Sequence, residues 1–274
     1  MQYMFMRFPG GRSRAFTLSY DDGSIQDVRL SELMQQYGLK GTFNIPSSFL
    51  GEGHTHHISY DTLRELSKKG CVEVAGHGET HPFYAHMAPA QVIRDLSNDR
   101  VNLERELKTL VRGFALPNGS YNAETVECLR LCGFVYSRTT KSTKGFSIPA
   151  DFLEWHPTCH QIDPALDGLI DDFFGDVRGY GSPKLFYVWG HSYEMDRDCW
   201  SWERLEAFFK KVAGRDDVWY ATNMEIYDYV KAYKALIPSA DGSFVYNPTD
   251  VELFGLAGPH LEPFSVKPRE TLWF

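Results

Sequence analysis

The adjacent carboxylates of Asp21 and Asp22 are the first residues whose type and position indicate chemistry. They end an alternating, β-prone run over residues 14–20 and precede Gly23. Neighbouring side chains of a strand point to opposite faces, but a turn at the strand's end lets both carboxylates reach one site. A plain turn is the alternative, because Asp and Gly are common in turns. The pair therefore needs partners elsewhere in the chain before it indicates a site.

His77 and His81 are suitable partners, because their imidazoles are four residues apart. If the segment is a helical turn, both rings lie on one side, about 5–6 Å apart at Cβ, close enough to share a cation. With Asp22 they make two histidines and one carboxylate, a catalytic zinc arrangement that leaves room for water. We therefore predict a divalent metal site, with Zn²⁺ as the first candidate for the metal and Co²⁺, Ni²⁺ or Fe²⁺ as alternatives. For the histidines alone, a surface or capping role stays open.

Two residues, Asp21 and His191, are the candidates for proton transfer. A bound cation lowers the pKa of its water and polarises a carbonyl. Asp21 is then predicted to act as general base on that water. His191 follows an apolar run over residues 185–189 and is predicted to act as general acid to the leaving group. A hydrogen-bonded histidine at a strand end is the alternative for His191.

The elements that would position these residues alternate between strand and helix patterns over about the first 236 residues. The strand-like runs cover residues 14–20, 42–45, 71–75, 111–116, 134–137, 153–158, 185–189 and 218–221. Such alternation predicts parallel strands with crossover helices, and this many units favour a β/α barrel whose strand ends converge on one face. Short alternating runs after residue 236 predict a small β appendage. We predict two units, a barrel over 1–236 and a β-rich extension over 237–274.

Composition narrows the choice of partners and location. The 274 residues carry a net charge of −8, from 28 basic and 36 acidic residues. No basic run stands out, so nucleic acid and an anionic membrane are not expected as partners, and no stretch approaches membrane-spanning length. The chain start lacks a long apolar signal core, and Cys-x-x-Cys is absent. We expect a cytoplasmic protein with reduced cysteines; a homo-oligomer stays open. The five cysteines are Cys71, Cys128, Cys132, Cys159 and Cys199.

Three segments give the chain a resemblance to the polysaccharide deacetylases with the NodB homology region, carbohydrate esterase family 4. Tyr20-Asp21-Asp22 resembles the aromatic-Asp-Asp first motif of that family. Residues 77–81 resemble its second motif, H-[S/T]-x-x-H, with Gly78 in place of the hydroxyl residue. Residues 188–191 resemble its fifth motif, an apolar strand followed by Leu-x-His. The resemblance spans about residues 16–223.

Two motifs depart from the family pattern. The third, Arg-x-Pro-x-Gly, is Ala-Leu-Pro-Asn-Gly over residues 115–119, so its arginine is absent. In the family that arginine orients the base carboxylate, and we hypothesise that Arg138, which follows the next strand, supplies a guanidinium instead. Glu154-Trp155 is a loose match to the Asp-Trp pair of the fourth motif. His156, His160 and the loop histidines His54, His56 and His57 lie in segments that can border the cleft, although solvated histidines are the default.

The resemblance implies a fold, a site and an activity. The fold would be an α/β protein, a distorted (β/α)7 barrel with a small C-terminal β appendage. Asp22, His77 and His81 would hold the metal, Asp21 and His191 would be base and acid, and the backbone N–H of Asn118 would help hold the oxyanion. The activity would be removal of acetyl groups from an acetylated saccharide, with the N-acetyl group as the first candidate for the target. A metal-dependent amidohydrolase of a small or cyclic amide, and a catalytically decayed saccharide-binding protein, are the alternatives.

Overall fold

The computed structural model describes residues 3–51, 53, 55–176, 183–197 and 200–274. His54 and Cys199, which the sequence analysis singles out, lie outside the described residues. The strands are β1 (Met4–Arg7), β2 (Arg14–Asp21), β3 (Gly41–Ile45), β4 (Val72–Gly76), β5 (Gly113–Ala115), β6 (Tyr136–Arg138), β7 (Cys159–His160), β8 (Lys184–His191), β9 (Val218–Tyr220), β10 (Ile237–Pro238), β11 (Phe244–Tyr246), β12 (Leu253–Ala257), β13 (Glu262–Val266) and β14 (Thr271–Trp273). The α-helices are α1 (Asp27–Gln36), α2 (Tyr60–Ser67), α3 (Pro89–Leu107), α4 (Ala123–Leu131), α5 (Leu166–Phe174), α6 (Trp202–Val212) and α7 (Asn223–Lys234).

The central sheet is parallel and curls into a distorted barrel. Its strands follow the order β6-β5-β4-β3-β2-β8-β7, and β9 pairs with β2. Trp155 forms a parallel bridge to Arg138 of β6, and Cys159 of β7 pairs with Val188 of β8. One stretch of chain therefore links both edges of the sheet. The predicted (β/α)7 barrel is confirmed.

Strand β2 lies at the centre of the sheet and is buried along its whole length. Phe16, Leu18 and Tyr20 pack on one side, as the alternation of a β-strand requires. Because β3 and β8 flank β2 in register, Asp21 at its end lies opposite Asn44 on one side and His191 on the other. The sheet thus brings polar residues that are distant in sequence to one edge.

Helix α3 differs from its predicted apolar stripe. The sequence pattern continues the helix to residue 110, whereas it ends at Leu107. Ile93 and Leu110, which fit the apolar pattern of this segment in the sequence, are 37% and 69% exposed. Asp95 and Asp99 are buried instead, because they accept hydrogen bonds from the loop that follows β4. The inner face of this helix therefore supports the loop as well as the core.

The segment after β6 also differs from its prediction. Residues 153–158 were expected to be a strand, but Phe152–Glu154 forms a 3-10 turn and the regular strand is Cys159–His160. Pro157 removes a backbone donor near the end of the predicted run, which explains why regular pairing starts after it. Trp155 is buried and contacts Tyr136 and Tyr187, so it serves the core.

The last part of the chain forms two small antiparallel sheets, as the short alternating runs predict. One has the order β10-β11-β14 and the other β1-β12-β13. Strand β1 was assigned to the barrel unit, yet Met4 pairs with Ala257 and Arg7 with Phe254. The hydroxyl of Tyr229 in α7 donates to the carbonyl of Arg7 and accepts from the N–H of Phe254. The division at residue 236 stays a prediction.

Two further expectations concern thiols and membrane spans. The described cysteines Cys71, Cys128, Cys132 and Cys159 are free thiols. Within the described part of the chain, every helix is too short or too polar to cross a bilayer.

Candidate active site

Five predicted site residues lie at or just after the C-terminal ends of neighbouring parallel strands. Asp21 ends β2, Arg138 ends β6 and His191 ends β8, while His77 directly follows β4. Asp22 follows Asp21, and its main-chain N–H donates to the carbonyl of Asn44 at 3.0 Å. This edge of a β/α barrel is where active sites are built.

A left-handed residue explains how adjacent carboxylates reach the same site. Asp22 has φ of +76°, a conformation that asparagine and aspartate adopt more readily than other side chains. The strand alternation therefore stops at Asp21, and the chain turns before Gly23. As a result, Asp21 and Asp22 both lie within 4 Å of the Nε2 atom of His77.

The histidine pair lies in a non-helical loop, so the helical turn considered from the spacing is wrong. Gly78 has φ of +81° and His81 has φ of +54°, which bends the loop and brings the two imidazole centroids to 4.8 Å. A side chain at position 78 would meet the hydroxyl of Tyr84, since a Cβ there would lie 2.5 Å from it. This contact explains why glycine stands where the family pattern has a hydroxyl residue.

Two buried carboxylates of α3 hold this loop. The Asp99 side chain accepts from the main-chain N–H groups of His77 at 3.0 Å and Gly78 at 2.9 Å. Asp95 accepts from the N–H groups of Glu79 and Thr80. Burial raises the pKa of Asp99 to about 7, although these hydrogen bonds favour its ionised form. The loop is thus fixed by main-chain hydrogen bonds and leaves its imidazoles free to bind.

Asp22, His77 and His81 form a donor set that fits a divalent metal. Oδ1 of Asp22 lies 3.6 Å from Nε2 of His77 and 3.4 Å from Nε2 of His81. Tetrahedral zinc with bonds of about 2.0–2.2 Å separates its ligands by about 3.3–3.5 Å. The same Oδ1 atom is buried and has no hydrogen-bond partner among the described residues. An orphaned buried carboxylate oxygen between two imidazole nitrogens is what a cation would satisfy.

Hydrogen bonding sets the tautomer of His77. Its Nδ1 atom lies 2.8 Å from the carbonyl oxygen of Ala115, which can only accept, so Nδ1 carries the proton. The lone pair of Nε2 then faces Asp22. Burial lowers the pKa of His77 to about 4, which keeps the ring neutral. A neutral imidazole with its second nitrogen held by a carbonyl is a good metal ligand.

Asp21 is held by two partners as a carboxylate. The Nη2 group of Arg138 donates to its Oδ2 atom, and Nδ2 of Asn44 donates to Oδ1 at 2.8 Å. Burial alone would raise the pKa of Asp21, but the nearby charges, Arg138 foremost with His77 and His191, together with the hydrogen bond from Asn44, outweigh burial and lower it. Arg138 is fully buried, with its Cζ atom 4.3 Å from the ring centroid of Trp189. The guanidinium hypothesised from the strand-end position therefore contacts the predicted base.

His191 faces the candidate metal ligands from the opposite strand. Its Nε2 atom is 3.9 Å from Oδ2 of Asp22, and its Nδ1 atom is 3.0 Å from Oε1 of Glu194. Burial would lower the pKa of His191, but the hydrogen bond to Glu194 and the nearby carboxylates raise it. The ring is thus favoured in the protonated form that a general acid needs.

Glu194 is the site residue that the sequence analysis missed. It lies on the 3-10 turn Ser192–Asp196, three residues after His191. The Oε2 atom of Glu194 accepts from Nε2 of Gln161 at 2.6 Å. The Nε2 atom of His160 lies 3.4 Å from Oε1 of Glu194. Burial disfavours its charge, yet these hydrogen bonds lower the pKa of Glu194. A carboxylate three residues beyond a strand-end histidine is a weak signal, which no sequence motif distinguishes from a solvated turn residue.

Two other predicted positions, Asn118 and Glu154, are exposed. Asn118 is exposed on the 3-10 turn Pro117–Gly119 with φ of +56°, and the oxyanion role of its N–H stays a prediction. Glu154, the loose candidate for the fourth motif, is exposed, while Trp155 beside it is buried in the core. The carboxylate that contacts His191 is Glu194, so the Glu154-Trp155 match has no counterpart in the site.

Comparison with known proteins agrees with this reading. The fold and the strand-end cluster define a β/α-barrel protein with a candidate hydrolytic site. Residues 9–137 match the family model described as polysaccharide deacetylase, so this part of the chain is similar to that family. The resemblance drawn from the motifs is confirmed. Among curated proteins, none matches.

Two solved structures that match most of this chain show the same fold. A candidate polysaccharide deacetylase from Mycobacterium smegmatis is 18% identical, with a TM-score of 0.62 over 85% of this chain and 95% of that one. A family 4 acetyl xylan esterase from Clostridium thermocellum, in complex with a cobalt ion, is 15% identical, with a TM-score of 0.53 over 78% and 91%. The Streptococcus pyogenes deacetylase PplD, in complex with acetate, is 19% identical, with a TM-score of 0.47 over 50% and 61%. The match thus spans less than two thirds of the PplD chain.

Proposed function

We propose that this protein is a metal-dependent hydrolase that removes acetyl groups from a saccharide, with the N-acetyl group as the first candidate for the target. The single observation that carries the proposal is the donor set of Asp22, His77 and His81, whose shared carboxylate oxygen is buried without a partner. The match of residues 9–137 to the polysaccharide deacetylase family model supports the acetyl group as the target. Zn²⁺ is the first candidate for the metal, since two imidazoles and one carboxylate suit it, and Co²⁺, Ni²⁺ and Fe²⁺ are alternatives.

The side chains around the donor set divide the proton transfers. A cation bound there would polarise the acetyl carbonyl and lower the pKa of a water molecule. Asp21, ionised and oriented by Arg138, accepts the proton of the attacking water. His191, held by Glu194, donates a proton to the departing nitrogen. The water oxygen forms a bond to the acetyl carbon, the C–N bond breaks, and the products are acetate and an amine. The N–H of Asn118 is proposed to stabilise the oxyanion.

The test is acetate release by protein stripped with EDTA and then reloaded with metal. We expect stripped protein to be inactive on N-acetylated chitooligosaccharides and one equivalent of Zn²⁺ or Co²⁺ to restore release. His81→Ala should bind no tight metal, whereas His86→Ala, an exposed histidine five residues further along the same segment, should bind one equivalent. Acetate release that survives stripping, or equal metal content in both variants, would contradict the proposal. Turnover of a cyclic amide without turnover of acetylated saccharides would support the amidohydrolase alternative.

A further inference from the structure

Gln161 is a buried glutamine directly after β7, and no sequence pattern indicated it. Its side chain is fully buried, and its main-chain N–H donates to the carbonyl oxygen of Trp189 in β8 at 2.7 Å. This hydrogen bond fixes Gln161 beside the end of the strand that carries His191. Because burial of a carboxamide is unfavourable unless it forms hydrogen bonds, the partners of this side chain indicate its role.

The carboxamide joins the two members of the candidate acid pair. Its Nε2 atom donates to Oε2 of Glu194 at 2.6 Å and to the main-chain carbonyl oxygen of His191 at 3.0 Å. A carboxylate and a carbonyl can only accept, so the amide group must face them with its nitrogen. The other carboxylate oxygen of Glu194, Oε1, lies 3.0 Å from Nδ1 of His191. Gln161 therefore holds the carboxylate that in turn holds the ring.

Gly190 provides the space for this carboxamide. A Cβ atom at position 190 would lie 2.5 Å from Cδ of Gln161 and 2.7 Å from its Nε2 atom. Gly190 lies within β8 and has no positive φ, so backbone conformation is not what requires glycine here. The close approach of Gln161 to the main chain beside His191 explains the glycine instead.

Packing alone is a poorer explanation of Gln161. Its Oε1 atom is buried and has no hydrogen-bond partner among the described residues. A buried acceptor without a partner is unfavourable, whereas a methionine of similar length would fill the same space without a polar atom that needs one. The hydrogen bonds of this side chain thus serve the placement of Glu194 and His191.

We propose that Gln161 is a positioning residue for the general acid: it fixes Glu194 and, through Glu194, the ring of His191 next to the departing atom. The inference rests on the proposed function, because it concerns the acid of the same reaction. It predicts a dependence on the leaving group. An amine departs only when it receives a proton, whereas the nitrophenolate of para-nitrophenyl acetate departs as a stable anion without one.

The test compares acetate release from these two kinds of substrate. Gln161→Met keeps the length of the side chain and removes its N–H groups. We expect kcat on N-acetylated chitooligosaccharides to fall by about 10–100-fold, with KM, bound zinc and turnover of para-nitrophenyl acetate as in wild type.

The matched control is Asn247→Leu, in the C-terminal part of the chain. Asn247 is another fully buried carboxamide, and its Nδ2 atom donates to the carbonyl oxygens of Val251, Val266 and Lys267. Its loss removes comparable hydrogen bonds without contact to the candidate acid pair. Asn247→Leu should therefore leave the ratio of the two rates unaltered.

Gly190→Ala reaches the same side chain by a second route. It keeps Gln161 in the chain but displaces the carboxamide, so it should reproduce the selective loss with the amide substrate. In a Gln161→Ala background the added methyl group has space, so Gly190→Ala should cause no further loss. Additive losses would overturn the proposal, because Gly190→Ala would then act without Gln161.

The outcomes separate this inference from the proposed function. Equal losses with both substrates in Gln161→Met, or no loss with the saccharide, would overturn the positioning role and leave the hydrolase standing. If wild type is inactive on either substrate, NMR of protein with isotope-labelled histidine decides. The Nδ1–H of His191, assigned by its absence in His191→Gln, should be protected from exchange with water in wild type and Asn247→Leu but not in Gln161→Met. Protection that is retained in Gln161→Met, or absent from wild type, would overturn the inference.

Discussion

The guanidinium of Arg138, at the end of β6, pairs with the carboxylate of Asp21, at the end of β2, and both side chains are buried. The third motif of the family places an arginine before the strand-end turn, but Ala115 stands there in this chain. Because β5 and β6 are in register, Ala115 lies opposite Arg138. The charge that the motif lacks thus comes from the adjacent position of the neighbouring strand.

Removing this guanidinium should leave a buried, unpaired carboxylate. We expect Arg138→Met to lower the free energy of unfolding by about 3–5 kcal/mol and to lower kcat/KM by about 10²–10⁴-fold. Urea unfolding and acetate release measure the two effects. The double variant with Asp21→Asn removes the stranded charge, so it should recover stability without recovering activity. Full activity in Arg138→Met would show that Arg138 does not orient the base.

Exchange of Glu194 for Gln should change the pH dependence of the reaction. The hydrogen bond that the His191 ring donates to Glu194 raises the pKa of His191 against the effect of burial, so its loss lets burial lower that pKa. Since a general acid must be protonated, the alkaline limb of the kcat/KM profile should move to lower pH, by about 1–3 units. Glu203→Gln, at an exposed position on α6, is the control. An unmoved alkaline limb would rule out this role for Glu194.

Restoring the hydroxyl residue of the second motif should damage this site. Gly78 has φ of +81°, and a Cβ there would lie 2.5 Å from the hydroxyl of Tyr84. We expect Gly78→Ser to cost about 1–3 kcal/mol of stability and to weaken zinc binding, because the loop must shift. Gly38→Ala separates the strain of a side chain at positive φ from the steric clash with Tyr84, since Gly38 has φ of +65° with open space around it. Thermal unfolding and zinc titration of Gly78→Ser that match those of Gly38→Ala would contradict the steric account.

Asp27 should make wild-type stability fall as pH rises. Burial raises the pKa of Asp27 from 3.8 to about 8, although the nearby hydroxyl of Ser192 favours its ionised form. The folded state therefore holds a proton that the unfolded chain releases, so stability is lost between about pH 4 and pH 8, at about 1.4 kcal/mol per pH unit. Asp27→Asn should remove this loss.

The measurement is urea unfolding at pH 5 and pH 7. Wild type should lose about 2.7 kcal/mol more than Asp27→Asn over this interval. Asp171→Asn, at an exposed position on α5, should follow wild type. Parallel changes in wild type and Asp27→Asn would show that Asp27 ionises normally in the folded state.

The fold could be predicted because its signals are local and repeated. Strand and helix periods alternate along the barrel, and the strand-like run over residues 185–189 lies within β8, Lys184–His191. The short strand β7 could not be placed, because two residues carry little periodicity and Pro157 precedes them. Strand β1 was missed for a different reason: its partner, β12, lies about 250 residues further along the chain.

The site could be predicted where its residues stand at strand ends, and not where they lie on turns or helices. Asp21, Asp22, His77 and His191 follow β-like runs, and the structure brings them together. Their catalytic roles stay predictions. The sequence pattern could have indicated the supporting carboxylates Asp95 and Asp99, since they interrupt the apolar stripe of α3 four residues apart on its inner face. The direction of the Arg138 side chain depends on the curl of the sheet, which strand periodicity does not specify.

The pairing of β1 with β12 constrains how this chain can be shortened. A version that stops at residue 236 would keep β1 but remove the strand that covers its backbone, leaving unpaired N–H and C=O groups at an exposed edge. Such an edge is a template for another molecule to add a strand, so the shortened protein should self-associate even with its barrel intact. Removing residues 1–8 together with the C-terminal segment would eliminate that edge, which makes the two chain ends a single unit for protein engineering.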